Sequence, residues 1–117
     1  MPLFFFLMTD QIVVLCTCAS TEDAERLARA LVTGRLAACV SVLPGMRSFY
    51  RWEGEIETAA ECLLLIKSSR DHFDGLRAAI EKLHTYAVPE VLALPIVAGA
   101  PNYLAWLTES LEPGAGE

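Results

Sequence analysis

The sequence predicts an α+β fold in a single domain, because short apolar runs that suit strands alternate with amphipathic stretches that suit helices. Residues 12–17 and 62–67 are almost continuously apolar, which is typical of strands covered on both faces. Glycine or proline stands near the ends of several of these segments, where such residues interrupt regular structure. A chain of 117 residues is also the size of one domain.

The first helix is predicted directly after the strand at residues 12–17. Ser20 is followed three residues later by Asp23, which is the spacing of an N-cap residue and the first helical turn. The helix then carries an apolar stripe at helical spacing, formed by Ala24, Leu27, Ala28 and Leu31. We expect this stripe to pack against the sheet.

Residues 36–57 form the most informative stretch. They begin in a small-residue apolar run, pass Pro44-Gly45, and continue as a strand of aromatic and charged residues to Glu53-Gly54. Pro44-Gly45 predicts a bend or bulge within the strand. Glu53-Gly54 predicts a tight hairpin, because glycine tolerates positive φ. The pattern predicts a long, kinked strand that folds back on its successor and is longer than one small domain needs.

The third strand is predicted to end at residues 62–67, and a second helix to follow it. Ser68 and Ser69 precede this helix, and Asp71 lies in its first turn, where the helix dipole favours a carboxylate. Its apolar stripe comprises Phe73, Leu76, Ile80 and Leu83. The helix is predicted to stop at His84.

A fourth strand is predicted over residues 90–97, and Pro101 suits the first turn of a C-terminal helix. The order of elements is that of the ferredoxin-like split βαβ unit, βαββαβ plus a C-terminal helix, with an antiparallel sheet and helices on one face. We expect three parts: an N-terminal apolar extension at residues 1–10, the domain at 11–110, and a disordered tail at 111–117.

The apolar content exceeds what one small domain buries. Hydrophobic residues make up 54% of the chain, and the first, third and fourth strands are apolar on both faces rather than alternating. The second face of the sheet must therefore be covered as well. Packing between subunits in a closed ring, with the long arm reaching a neighbour, would cover it.

Charge and cysteine usage exclude several classes of partner. The net charge of −6 argues against nucleic acid and anionic lipid, which need a basic surface, and no apolar run approaches the length of a membrane-spanning helix. The four cysteines include no Cys-x-x-Cys pair, and the N-terminus lacks the basic region of a secretory signal. We therefore expect reduced thiols and a cytoplasmic protein.

Several motifs in unbroken order resemble the CutA family of divalent-cation tolerance proteins over about residues 11 to 110. The matching stretches are Leu36-Ala37-Ala38-Cys39-Val40 with Pro44-Gly45, Tyr50-x-Trp52-Glu53-Gly54, Leu65-Ile66-Lys67, Val88-Pro89-Glu90, Ala93-Leu94-Pro95-Ile96 and Tyr103-Leu104-x-Trp106-Leu107. The resemblance implies a ferredoxin-like fold, an interlocked homotrimer similar to that of PII-type signalling proteins, and a role in copper and divalent-metal tolerance.

The resemblance also implies a metal site. The ligands proposed for the family are a thiol at the end of the first strand and histidine near the end of the second helix, and Cys16 and His84 match those places. Some members have two adjacent histidines there, whereas this chain has Leu83 before His84. The usual His-Pro-Tyr reads His84-Thr85-Tyr86.

The residues themselves leave the role of these side chains open. Cys16 and Cys18 are two apart on a strand and can face the same side, where thiolates with an imidazole would suit Cu(I), but both could be buried small hydrophobes. His84 could be a ligand or could cap a helix C-terminus. We take Cys16 and His84, with a carboxylate such as Glu90, as the candidate set for copper or another divalent metal.

Alternatives to metal binding remain at this point. Tyr50 and Trp52 share a strand face and could line a cleft between subunits or pack in an interface. A trimeric PII-like regulatory or scaffolding module that binds a small ligand or protein in such clefts is the second hypothesis. No phosphate-binding loop, dinucleotide fingerprint, nucleophile elbow or His-Glu-x-x-His is present, so we do not expect an enzyme.

Overall fold

A computed structural model describes residues 9–114 of the chain. Its four strands are β1 (Gln11–Cys18), β2 (Cys39–Trp52), β3 (Glu55–Ser69) and β4 (Leu92–Pro95). Its three α-helices are α1 (Thr21–Thr33), α2 (Phe73–Leu83) and α3 (Pro101–Leu111), and a short 3₁₀ turn, Arg70–His72, leads into α2. The predicted order of strands and helices is confirmed.

The strands form one antiparallel sheet in the order β2-β3-β1-β4. β3 lies between β1 and β2, and β1 lies between β3 and β4. The two strands of each βαβ unit are therefore separated by one strand of the other unit, as the split βαβ arrangement requires. The fourth strand is shorter than the predicted 90–97, because its pairing with β1 runs only from Leu92 to Pro95. Beyond Pro95, the Ile96 N–H still donates to the Gln11 carbonyl at 3.1 Å, so one further backbone bond to β1 follows the strand.

The core lies between one face of the sheet and helices α1 and α2. Alternate residues of β1 and β3 point into it and are fully or almost fully buried, and they meet apolar side chains of both helices: Ile12, Val14, Cys16, Cys18, Cys62, Leu64, Ile66, Ala24, Leu27, Leu31, Leu76 and Ile80. The Ser20 hydroxyl accepts a hydrogen bond from the N–H of Asp23 and so starts α1 as predicted. Burial of the two amphipathic stripes fixes both helices on this face.

The third helix packs against the opposite face of the sheet. Side chains alternate along β1, so Gln11 points away from α1 and α2. Its amide donates a hydrogen bond of 2.8 Å to the Thr108 hydroxyl of α3, where Leu107 and Leu111 are buried. One end of the second face is therefore covered by the chain itself.

The arm consists of β2 and β3 beyond the end of β1. Pairing between β1 and β3 stops at Cys18 and Cys62, whereas β2 and β3 continue together to Trp52 and Glu55. The predicted hairpin is confirmed, with Glu53 at φ 50° and Gly54 at φ 82°. The predicted irregularity at Pro44-Gly45 is also confirmed, as a bulge between Leu43 and Met46.

The N-terminal extension at residues 1–10 and the tail at residues 111–117 were predicted at the two ends of the chain. Thr9 joins the sheet through its N–H and hydroxyl, both of which donate to the Ile96 carbonyl, while residues 1–8 of the predicted extension lie outside the described residues. Leu111 ends α3, and residues 115–117 of the predicted tail also lie outside them. None of the helices among residues 9–114 combines the length and apolar character needed to cross a membrane.

Candidate metal centre

Cys16 and Cys18 lie at the end of β1 and point into the core. Their spacing of two residues puts both thiols on the helix side of the strand, where the side chains are 0% and 2% exposed. Both are free thiols, as are Cys39 and Cys62. Strand periodicity alone therefore brings two sulfur atoms to one place.

His84 reaches these thiols from the residue that follows α2. Its Nδ1 accepts a hydrogen bond from the N–H of Tyr86 at 2.9 Å, so this nitrogen carries no proton. Its Nε2 lies 2.7 Å from the Thr17 carbonyl oxygen, which can only accept, so Nε2 carries the proton and donates it. The imidazole is held in one neutral tautomer by two backbone groups.

The three side chains form one compact group. Both Sγ atoms and one ring nitrogen of His84 lie within 4.8 Å of one another, and Cys18 Sγ is 3.7 Å from Nε2. Among residues 9–114, these are the residues of metal-binding type that come close enough together to share an ion. Leu27, Leu83 and Thr85 line a small pocket together with Cys18 and His84, and the Asp23–Arg26 ion pair lies at the same pocket.

The two thiols differ in acidity because they interact with each other. A hydrogen bond with Cys18, together with burial, raises the pKa of the Cys16 thiol well above its usual range. The same hydrogen bond lowers the pKa of Cys18, against an opposing effect of burial. Cys18 is therefore the thiol that ionises first.

The donor set is soft and lacks oxygen side chains. Thiolates and an imidazole suit Cu(I) or Zn²⁺, whereas Ca²⁺ and Mg²⁺ take oxygen ligands. To bind an ion, Cys16 must lose its proton and His84 Nε2 must leave the Thr17 carbonyl. The group resembles a metal site whose protein ligands are close together but are occupied by hydrogen bonds to one another and to the backbone.

The structure brings together two of the three residues chosen from sequence and separates the third. Cys16 and His84 share the group, but Glu90 does not belong to it and lines a cleft beside the arm. Cys18, which sequence reasoning placed on the same side as Cys16 but did not choose, is the third member. The signal for it was the Cys-x-Cys spacing on a strand.

Glu61 and Tyr86 connect this group to the arm. The Tyr86 hydroxyl donates to Glu61 Oε2 at 2.7 Å, while the Tyr86 ring lies 4.8 Å from the His84 ring. Burial would raise the pKa of Glu61, but hydrogen bonds from Ser48, Tyr86 and Thr17 outweigh it and lower that pKa. Burial and the bond to Glu61 raise the pKa of Tyr86. Tyr86 thus connects His84 to Glu61 on the opposite face of the sheet.

The remaining cysteines lie outside the group. Cys62 is buried, with its Sγ 3.4 Å from the Thr21 hydroxyl, and Cys39 is half-buried at the start of β2. Neither is brought to His84. These two positions fit the reading of cysteine as a small apolar side chain.

Known proteins resemble the chain over most of its length. The family model described as "CutA1 divalent ion tolerance protein" matches residues 12–110. The divalent-cation tolerance protein CutA of Thermus thermophilus is 49% identical over 98 residues, which cover 84% of this chain and 95% of that protein.

Solved structures show the same fold. The crystal structure of CutA from Xylella fastidiosa superposes with a TM-score of 0.87 at 40% identity and covers 89% of this chain and 100% of that one. The protein from Archaeoglobus fulgidus described as periplasmic divalent cation tolerance protein CutA has a TM-score of 0.85 at 36% identity and covers 87% of this chain and 99% of that one. Sequence and fold agree over the same residues, and the chain belongs to the CutA1 divalent ion tolerance family.

Proposed function

We propose that this protein acts in divalent-cation tolerance by binding copper, or another ion that accepts sulfur and nitrogen ligands, at Cys16, Cys18 and His84. The observation that carries the proposal is the convergence of two thiols and an imidazole nitrogen within 4.8 Å in the core. The names of the related proteins support the general role, and the donor atoms support copper. Binding, and not catalysis, is the proposed activity.

The proposal assigns a different part to each ligand. Cys18, as the more acidic thiol, provides the first thiolate, and Cys16 follows when its proton is displaced. His84 contributes Nε2 after its proton moves away from the Thr17 carbonyl. The hydrogen bond from the Tyr86 N–H to Nδ1 would have to adjust at the same time, because an imidazole bound through Nε2 carries its proton on Nδ1.

Titration of the purified protein with Cu(I), Cu(II) and Zn(II) by calorimetry, against a competing chelator, tests this assignment. We expect Cys16→Ala, Cys18→Ala and His84→Ala each to weaken Cu(I) binding by about a hundredfold, the upper end of the loss seen when residues that only support ligands are removed. Cys39→Ala is the matched control, since it removes a thiol outside the group. Unchanged affinity in all three variants would exclude the site.

Glu90 needs its own test, because it is a candidate ligand from sequence that lies outside the group. If a carboxylate joins the ion after rearrangement, Glu90→Gln will lower Cu(II) affinity by about tenfold and leave Cu(I) little changed, because oxygen ligands favour the harder ion. We expect no change for either ion. A loss for Cu(II) would restore the set of Cys16, His84 and Glu90.

We further propose that the protein works as a homotrimer. The edge of β3 from Glu55 to Glu61 pairs with β2 alone within the described part of the chain, which leaves backbone groups of the arm open on the other side. Apolar side chains are exposed on the arm and on β4, where Ile56, Leu92 and Leu94 are 61%, 54% and 48% exposed. Strand pairing and apolar burial between neighbouring copies would cover both surfaces.

Sedimentation velocity at micromolar concentration tests the assembly. We expect a single species of three chains, and Leu94→Asp to shift it towards smaller species, because a charge would be buried in the interface. Glu109→Gln, on the exposed side of α3, should leave the assembly intact. A wild-type monomer at this concentration would contradict the proposal. A cytoplasmic location is part of the same proposal and can be checked by cell fractionation.

A further inference from the structure

A cleft of about 820 Å³ lies between the arm and the chain segment that follows His84, and we refer to it as the arm cleft. Residues of the arm form one wall, and residues of the segment after His84 form the other. The lining residues are Ser48, Phe49, Tyr50 and Trp52 of β2, Glu57, Ala59 and Glu61 of β3, and Tyr86, Ala87, Val88 and Glu90. This volume is within the range of pockets that bind small molecules. Cys16, Cys18 and His84 do not line the arm cleft, which is separate from the proposed metal centre and is connected to it through Tyr86.

The wall that the arm supplies is a ladder of acidic and aromatic side chains. Tyr50 lies directly opposite Glu57, and Ser48 opposite Ala59, so these side chains share one face of the two-stranded arm. Trp52 and Glu61 continue the wall at its two ends. Trp52 is 61% exposed in the single chain, so the described part of the chain leaves most of its side chain uncovered.

The lining of the arm cleft is negatively charged and aromatic. Three carboxylates line it, those of Glu57, Glu61 and Glu90, and no lysine, arginine or histidine is among its described lining residues. Four aromatic residues also line it, Phe49, Tyr50, Trp52 and Tyr86. Carboxylates attract a cation by Coulomb forces, and aromatic faces attract one through the ring quadrupole. Anionic ligands such as nucleotides and phosphates are disfavoured.

A bare metal ion does not fit this lining. A hard divalent cation needs six or more oxygen ligands at about 2.0–2.6 Å, and the three carboxylates do not come close enough together to form a group that could hold an ion. An organic cation differs because its charge is spread over N–H or C–H groups, and its carbon skeleton can cover aromatic surface. The separated carboxylates and the aromatic rings fit the second kind of occupant.

Two hydrogen bonds give the inner end of the arm cleft a fixed geometry. The Tyr86 hydroxyl donates to Glu61 at 2.7 Å, and the Tyr86 N–H donates to His84 at 2.9 Å. Glu61 is therefore oriented before any occupant arrives, while Glu57 and Glu90 are exposed and free of such a bond in the described contacts. Preorganisation of one carboxylate lowers the entropic cost of binding.

We propose that the arm cleft binds a small organic ammonium ion, with its charged nitrogen atoms between Glu57, Glu61 and Glu90 and its carbon skeleton against Tyr50 and Trp52. A linear alkyl diammonium has this combination of two charges and an apolar centre. Binding of such an ion is an activity separate from metal binding at the thiols.

Calorimetric titration of the full-length protein with 1,5-diaminopentane at low ionic strength tests the proposal. We expect saturable binding, with 1,5-pentanediol and glutarate giving none, because the first lacks charge and the second has the wrong sign. Quenching of Trp52 fluorescence in a Trp106→Phe background provides an independent signal from the cleft itself. Absence of saturable binding by the diamine, or equal binding of the diol, would overturn the proposal.

Charge-matched variants locate the site. The Glu57→Gln/Glu90→Gln double variant should bind the diamine at least about tenfold more weakly, because two carboxylates are removed from the lining. Glu25→Gln/Glu109→Gln removes the same number of charges from exposed positions on α1 and α3 and should bind within about twofold of wild type. Circular dichroism and sedimentation of each variant report whether folding and assembly are intact. Equal weakening in both double variants would show only general charge attraction. Dissociation of the assembly by the cleft variant would identify the cleft as a contact between copies. Either result would overturn the proposal.

Discussion

The thiol–imidazole group and the arm cleft lie on opposite faces of one sheet and are built from opposite chemistry. The first is closed, with soft donor atoms that bond to one another and to the backbone. The second is open, and Glu57, Glu90, Tyr50 and Trp52 of its lining are exposed. His84 belongs to the first and Tyr86 to the second, so two residues at the end of α2 serve both. The comparison shows that the short segment from His84 to Tyr86 can contribute to two regions whose chemistry differs.

The largest expected effect is the slow chemical modification of the two thiols, which would distinguish the closed thiol–imidazole group from the open arm cleft. Cys16 and Cys18 should be alkylated by iodoacetamide at least about a hundredfold more slowly in the native protein than in guanidinium chloride, because reaction requires local opening of the core. Peptide mass spectrometry after timed quenching measures both rates. Native rates close to the unfolded ones would mean that the group is open, and the contrast with the arm cleft would fail.

The pH dependence of binding should separate the two regions next. The pKa of Cys16 is raised, so its thiol is protonated at neutral pH and at least one proton must leave for each ion bound. Cu(I) affinity should therefore rise by at least about tenfold per pH unit between pH 6 and 8. Diamine affinity should change little over the same range, because neither carboxylic acids nor alkylammonium ions ordinarily titrate there. Chelator competition and calorimetry at three pH values provide the comparison.

Cys16→Ala is the control for that slope. It should bind Cu(I) more weakly and with a smaller dependence on pH, because the thiol that holds the proton is gone. A flat Cu(I) affinity in the wild-type protein would contradict the role assigned to Cys16. A strong pH dependence for the diamine would instead show that the arm cleft contains a group that titrates near neutrality.

Removal of the Tyr86 hydroxyl should affect one region more than the other. Tyr86→Phe keeps the ring beside His84 and the backbone N–H on Nδ1, but frees Glu61. We expect diamine binding to weaken by about fivefold, the equivalent of one ordinary hydrogen bond, and Cu(I) binding to stay within about twofold. The same two titrations measure this. An equal loss of copper affinity would show that the hydroxyl supports both regions alike.

Acid stability should show the smallest effect. Because the pKa of Glu61 is lowered by folding, the unfolded chain binds its proton more readily, and the stabilisation is present above the unfolded pKa and lost as pH falls through the folded one. Glu61→Gln should therefore lower Tm by about 2 °C at pH 7 and by less at pH 3, since Glu61 is only partly buried. Calorimetric melts at both pH values, with Glu109→Gln as control, measure the difference. A larger loss at pH 3 would contradict the direction of the shift.

The sequence predicts the fold well where local chemistry decides it. Ser20 with Asp23 marks the start of α1, Glu53-Gly54 marks the hairpin, and Pro101 marks the start of α3, and each lies where expected. The fourth strand was predicted too long. An apolar run indicates that its side chains are buried in the core or in an interface, but it does not show how many of its residues pair with β1. Pairing with β1, from Ile12 to Leu15, sets its length.

The candidate site was predictable only in part, for a related reason. Cys16 and Cys18 share a face through strand periodicity, which depends on sequence alone. The approach of His84 depends on the angle at which α2 crosses the sheet, and the position of Glu90 depends on the path of an irregular segment. No periodic pattern covers that segment, so sequence could suggest a carboxylate there but not its distance from the thiols.

The bulge at Pro44-Gly45 determines which face the arm presents. Before it, Val40 and Val42 stand opposite Ile66 and Leu64 and point towards the helices; after it, the even-numbered residues of β2 stand opposite odd-numbered residues of β3 and point away. One extra residue thus reverses the phase of the strand. Without that reversal, Tyr50 and Trp52 would lie on the helix side of the arm and Phe49 and Arg51 would take their places. Deleting this one position would therefore move the side chains of β2 beyond the bulge to the other face of the arm, while those of β3 would keep their faces.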